Sequence, residues 1–119
     1  RQLHQSGFNH RDLYLSHIFL SRDGKGCERL NLIDLQRVFQ PVIMKRRWQV
    51  KDLAQLYYSS RDYFSDKDMM QFMHEYFDNH RLTKYQKGLI RSVCRKTRRI
   101  ERHVHHRMEK LQKTTELHE

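Results

Sequence analysis

Gly7-Phe8-Asn9-His10-Arg11-Asp12-Leu13-Tyr14-Leu15-Ser16-His17-Ile18-Phe19-Leu20 reads as a helix stop, a tight polar loop and a short apolar strand. Gly7 suits the position just past a helix end, because glycine takes the left-handed backbone conformation without penalty. Ile18-Phe19-Leu20 is a β-prone run, and Ser21 to Gly26 supplies a turn with two glycines. Leu30-Asn31-Leu32-Ile33 is a second apolar run, and it delivers Asp34 at its end. The layout is a loop carboxylate, a hairpin and a second carboxylate.

Two carboxylates held at the ends of one hairpin suit a particular chemistry. Phosphoryl transfer needs one carboxylate near the attacking hydroxyl and another on the Mg²⁺ that bridges the phosphates of ATP. Asp12 has the first place, in a His10-Arg11-Asp12 loop, and Asp34 has the second. Five residues beyond the loop aspartate, where a second metal ligand commonly stands, this chain carries His17 rather than asparagine.

Three ordered blocks carry a closer resemblance. His10-Arg11-Asp12-Leu13-Tyr14-Leu15-Ser16-His17 is followed by Leu32-Ile33-Asp34-Leu35-Gln36-Arg37-Val38, then by Arg47-Trp48 and Lys51-Asp52-Leu53. Together, over about Leu3 to Phe77, they resemble the lipopolysaccharide kinase family, and within it the kinases of the core heptose. The resemblance implies the C-terminal lobe of a protein-kinase-like fold, mainly α with a small β-hairpin. It implies ATP and Mg²⁺ as cofactors and a lipopolysaccharide core or lipid A acceptor. Asp12 would orient or accept the acceptor's proton, with Arg11 bracing the loop. Asp34 would hold the metal and nucleotide phosphates with His17 beside it, although magnesium prefers oxygen ligands. Arg37 would meet an acidic group of the substrate, and His10 would support the loop. An aspartate in the place of Asp52 hydrogen-bonds the catalytic-loop backbone; plain capping of a helix N-terminus is the competing reading. A Kdo acceptor is the alternative within the family.

Size and composition set the frame. The 119 residues permit one domain with a modest core. Beginning at Arg1, and with neither a glycine-rich phosphate loop nor a lysine-bearing strand ahead of His10, the chain reads as a fragment without the nucleotide-clamping lobe. Taken alone it is expected to show no turnover. Cys27 and Cys94 form no CxxC pair, which favours a reducing compartment and no zinc site. No run approaches the ~18 apolar residues of a spanning helix, and no signal peptide is visible. A cytoplasmic protein, peripheral on the inner membrane's cytoplasmic face, is the expectation.

The net charge of +10 is uneven. Residues 1–78 carry 12 Lys/Arg against 10 Asp/Glu, whereas residues 79–119 carry 12 against 4. A division follows: residues 1–80 as the kinase-like portion and 81–119 as a basic C-terminal helix. A non-enzymatic basic module for nucleic acid or anionic lipid would explain the tail. It would not explain Asp12 and Asp34, so nucleic acid is not the expected partner. Lys45-Arg46-Arg47-Trp48 is either a solvated charge run beside a core tryptophan or a cationic surface for phosphorylated glycolipid or anionic membrane.

Elsewhere the pattern is helical. Leu35 to Gln40 reads as extended, up to Pro41. Val50 to Ser60 reads as a helix with Val50, Leu53, Ala54 and Tyr57 on one face and Asp52 in its first turn. Ser65 and Asp68 cap a helix that ends at Asn79-His80, and Thr83 with Gln86 caps a long one to about Leu111. Its stripe of Ile90, Val93, Thr97, Ile100, Val104 and Leu111 is narrow enough for docking on a surface. Lys113 to Glu119 is expected to fray, and His103, His105 and His106 read as solvated rather than metal-binding.

Overall fold

The computed structural model describes residues 1–117. A single turn of helix, α1 (Gln2–Gln5), ends at Gly7, whose φ of +87° is the left-handed conformation the stop requires. The polar loop then leads through a 3-10 turn at Leu15–His17 into strand β1 (Ile18–Arg22), antiparallel to β2 (Glu28–Leu32). Ile18 pairs with Leu32, and the Ile33 amide continues the ladder onto the His17 carbonyl. The hairpin therefore brings the end of the loop beside Asp34.

Three helices follow: α2 (Lys45–Ser60), α3 (Asp66–Phe77) and α4 (Lys84–Glu116). The core is Val50, Leu53 and Ala54 of α2, Met73 and Tyr76 of α3, and Leu89 and Val93 of α4. Both capping boxes form, Ser65 with Asp68 and Thr83 with Gln86, each joining two otherwise orphaned backbone donors to side chains. The mainly α architecture with one small hairpin is the one expected.

Local boundaries differ where single residues turn left-handed. Asp34 (φ 58°) tips Leu35–Arg37 into a 3-10 turn, so this run is not extended. Met44 (φ 56°) starts α2 at Lys45, which puts Asp52 in the third turn and ends the first-turn capping account of it. Asp78 (φ 50°) stops α3 at Phe77, before Asn79. Helix α4 runs on to Glu116, so Lys113 to Glu116 is helical rather than frayed; residues 118 and 119 of that stretch lie outside the described residues. Leu89, Val93 and Thr97 of α4 are buried against α2, while from Glu101 onward the helix is exposed.

Candidate active site

Helix α2 positions the loop through a polar stripe. Asp52, Gln55 and Ser59 stand at i, i+3 and i+7, on one face of the helix. Asp52 accepts from the His10 amide (Oδ2, 2.8 Å) and the Arg11 amide (Oδ1, 2.8 Å). Gln55 Oε1 accepts from the Leu13 amide at 3.1 Å and Ser59 Oγ from the Leu15 amide at 2.8 Å. Loop amides that have no strand partner are thus satisfied one after another by one helix face. Asp52 had been singled out in the sequence; Gln55 and Ser59 had not. Their signal was there, as polar residues at helical spacing among Leu53, Ala54, Leu56 and Tyr57.

A half-buried chain of hydrogen bonds stands behind Asp52. His4 Nε2 donates to Asp52 Oδ2 at 2.8 Å, since a carboxylate only accepts. In the neutral ring Nδ1 then accepts from the Tyr76 hydroxyl at 2.6 Å, and Gln49 Nε2 donates to that hydroxyl at 2.7 Å. Burial by itself would raise the Asp52 pKa, but His4 and the two loop amides outweigh it and hold the carboxyl below its ordinary value. Burial pushes Tyr76 up to about 12, so it stays a donor. The helix period puts Tyr76 on an apolar core face, but its bond to His4 carried no sequence signal, because α1 and α3 meet only in the tertiary fold.

Arg11 is held in an unfavourable backbone conformation. Its φ of +75° costs a non-glycine residue about 1–2 kcal/mol. The Asp52 bond offsets this, and so does the guanidinium's position 4.9 Å from the Phe39 ring centre and 5.3 Å from that of Trp48. Phe39 in turn pairs its backbone with Asn9 in both directions (2.9 and 3.1 Å). Trp48 is therefore a packing residue of the loop, whereas Lys45, Arg46 and Arg47 are exposed.

Two histidines tie Asp12 to Asp34. His10 is fully buried; its Nε2 donates to the Ile33 carbonyl at 2.9 Å, and its Nδ1 accepts from the Asp12 amide at 3.2 Å. His17 stacks on it with ring centres 5.9 Å apart. His17 Nδ1 donates to the Asp12 carbonyl at 2.7 Å, which leaves Nε2 facing Asp34 Oδ2 at 3.5 Å. In the neutral imidazole that is a lone pair opposite a carboxylate, an arrangement that suits a proton or a cation. Among the described residues no group of three or more His, Cys, Asp and Glu side chains converges on a point. An ion at Asp34 would take most of its ligands from phosphate and water, as Mg²⁺ commonly does.

The Asp12 carboxylate carries a cation of its own. Arg37 Nη1 lies 2.9 Å from Asp12 Oδ1, which places Arg37 on the loop carboxylate. Asp12 Oδ2 has no protein donor among the described residues. Lys51 is close enough that burial, followed by the charges of Arg37 and Arg11, lowers its pKa. All seven residues singled out in the sequence thus meet within one cluster, with His10, His17 and Asp52 as its connectors.

Apart from this cluster, an apolar cleft of about 740 Å³ opens between the hairpin, α2, α3 and α4, lined by Leu15, Ile18, Leu56, Phe64, Met69 and Phe72 among others.

Comparison with known proteins places the arrangement. The WaaP lipopolysaccharide core heptose(I) kinase of Escherichia coli is 38% identical over 81 residues, 65% of this chain and 31% of that protein. Its namesake in Pseudomonas aeruginosa is 33% identical over 104 residues, 82% of this chain and 39% of the relative. A solved structure of WaaP in complex with acyl carrier protein matches with a TM-score of 0.63 and 32% identity, covering 82% of this chain and 43% of that one. The chain thus spans 31–39% of the length of these curated relatives. Its helices and hairpin take the kinase-like arrangement of that neighbour. The model of the lipopolysaccharide kinase (Kdo/WaaP) family matches residues 1–76, the stretch that holds the loop, the hairpin and the Asp52 clamp, and the chain belongs to that family.

Proposed function

We propose that this chain carries the catalytic loop and metal-binding aspartate of a kinase that transfers the γ-phosphate of ATP to a heptose hydroxyl of the lipopolysaccharide inner core. The observation that supports it most is the double histidine link. His10 and His17 bind the Asp12 backbone on one side and reach Ile33 and Asp34 on the other, so the two carboxylates keep a fixed separation.

In this reading Asp12 Oδ2 accepts the proton of the sugar hydroxyl as its oxygen bonds to the γ-phosphorus and the bond to the β–γ bridging oxygen breaks. Arg37 orients the Asp12 carboxylate through Oδ1, leaving Oδ2 toward the acceptor. Asp34 would hold Mg²⁺, with His17 Nε2 beside it; when bound, the ion neutralises charge on the β and γ phosphates. His10, Arg11 and Asp52 keep the loop in place. The relatives compared are heptose(I) kinases, which favours heptose over Kdo.

The test is phosphate transfer from γ-labelled ATP to heptose-containing core oligosaccharide by the whole gene product. Labelled heptose supports the reading; label on Kdo alone, or none, overturns the heptose assignment. An acyl carrier protein is proposed as a partner, by likeness to the solved neighbour, with the apolar cleft sized for an acyl chain. Co-elution of the acylated carrier with the gene product, and a raised Tm, check this. No helix among the described residues is long and apolar enough to cross a membrane. The proposed setting is the cytoplasmic side, peripheral on an anionic membrane face.

A further inference from the structure

Ser92, in α4, receives two guanidinium groups: Arg46 Nη2 at 3.3 Å and Arg95 Nη2 at 3.1 Å. Arg46 also lies over the Tyr85 ring, 5.0 Å from its centre. A side chain at Gly88 would meet Arg46 Nη2 at 3.8 Å and Arg91 Nη2 at 3.9 Å, so a third guanidinium joins the other two. Among the described residues none of the three arginines is paired with a carboxylate. Like charges gathered in this way repel, and a bound anion relieves the repulsion.

Directly before Lys45 the chain presents three apolar side chains to water. Val42 is 87% exposed, Ile43 74% and Met44 59%. Single exposed hydrophobic residues need no explanation, but three in succession at a bend do. Pro41 and the left-handed Met44 flank that bend, and Met44 leads straight into the first turn of α2, which carries Arg46. The tip also follows closely on Phe39, whose backbone pairs with Asn9 of the catalytic loop.

We infer that Val42, Ile43 and Met44 with Arg46, Arg91 and Arg95 form one docking surface for the anionic headgroups of a lipid bilayer. The bilayer boundary is the partner that matches both halves. Its acyl edge takes an apolar tip, and its phosphates take the arginines. A soluble anion matches only the arginines. Docked this way, the catalytic loop stands beside the membrane surface. The inference rests on the membrane-face part of the proposed function and is independent of phosphoryl transfer.

The experiment is co-sedimentation of the whole gene product with phosphatidylcholine vesicles, with and without phosphatidylglycerol. Wild-type protein is expected to pellet with the anionic vesicles only, and to be released by high salt. V42S/I43S/M44S and R46Q/R91Q/R95Q are each expected to bind at least ~10-fold more weakly, the first through lost apolar burial and the second because each arginine near such a surface contributes roughly fivefold. All six residues are exposed, so both variants should keep the wild-type Tm. Wild-type protein that ignores anionic vesicles overturns the membrane reading and leaves transfer to core oligosaccharide standing. Binding that both variants retain overturns this surface alone. Release by inorganic phosphate, with normal binding by the apolar variant, overturns it in favour of a soluble-anion site. A fluorophore on Ile43→Cys, in a background with every other cysteine replaced by serine, Cys27 and Cys94 included, should shift to the blue on adding vesicles. A label already shifted without vesicles shows the tip covered by protein, and that also overturns the inference.

Discussion

His4 Nε2 lies 2.8 Å from Asp52 Oδ2, although the first belongs to a single turn of helix before the loop and the second to the middle of α2. Between them they close a ring: α1 leads into the loop, Asp52 holds the loop amides, and His4 holds Asp52. Removing the carboxylate leaves the His10 and Arg11 amides, the Asn9 side-chain amide and the His4 N–H without this acceptor. Asp52→Ala is expected to cost about 3–5 kcal/mol, and His4→Ala about 1–3 kcal/mol. Urea unfolding checks this, and an Asp52→Ala protein as stable as wild type would remove the clamp from the account.

The same carboxylate sets an acid limit. Its pKa is lower in the folded protein than its ordinary 3.8, so the unfolded chain binds the proton more tightly. The stabilisation is therefore fully present above about pH 4 and is lost as the pH falls through the lower folded value. Stability against pH should drop in that window for wild type. Asp52→Asn should start lower and lose this part of the slope.

At the two aspartates of the site, the proposed roles predict different kinetics in the whole gene product. Asp12→Ala should lower kcat by ~10²–10⁴-fold with nucleotide Kd nearly unchanged, the size usual for proton-transfer groups. Asp34→Asn should weaken Mg²⁺-dependent nucleotide binding as well as turnover. Arg37→Gln, which frees Asp12 Oδ1, should lower kcat without touching nucleotide Kd. Full activity in folded Asp12→Ala protein would end the assignment of this loop.

Helix α4 offers a test of where the core ends. Leu89 of α4 is fully buried in the core with residues of α2 and α3. Leu89→Ala should cost about 2–5 kcal/mol, whereas Leu111→Ala, at an exposed position further along the same helix, should stay within about 0.5 kcal/mol. A Leu89 variant that melts like wild type would return the whole of α4 to the surface.

Much of this molecule was legible along the chain, because its signals are local. Gly7 marks a left-handed stop, the two glycines after Ser21 turn a hairpin, and Ser65 and Thr83 cap helices with partners three residues on. The His10–Asp12 loop and Asp34 stand out by their spacing around the hairpin, and the roles proposed for them start from that spacing and from the family resemblance. What the sequence could not supply was every relationship that crosses elements. Asp52 looked like a first-turn cap until the left-handed Met44 started α2 at Lys45, ahead of the expected Val50, and put Asp52 in the third turn. Arg37 looked free for substrate until the 3-10 turn after Asp34 brought it onto Asp12. His4, Tyr76, Gln55 and Ser59 gained their roles only when α1, α2 and α3 closed around the loop. The physical reason is that residue spacing determines periodicity and caps, whereas the partner of a buried polar group depends on which element packs against it.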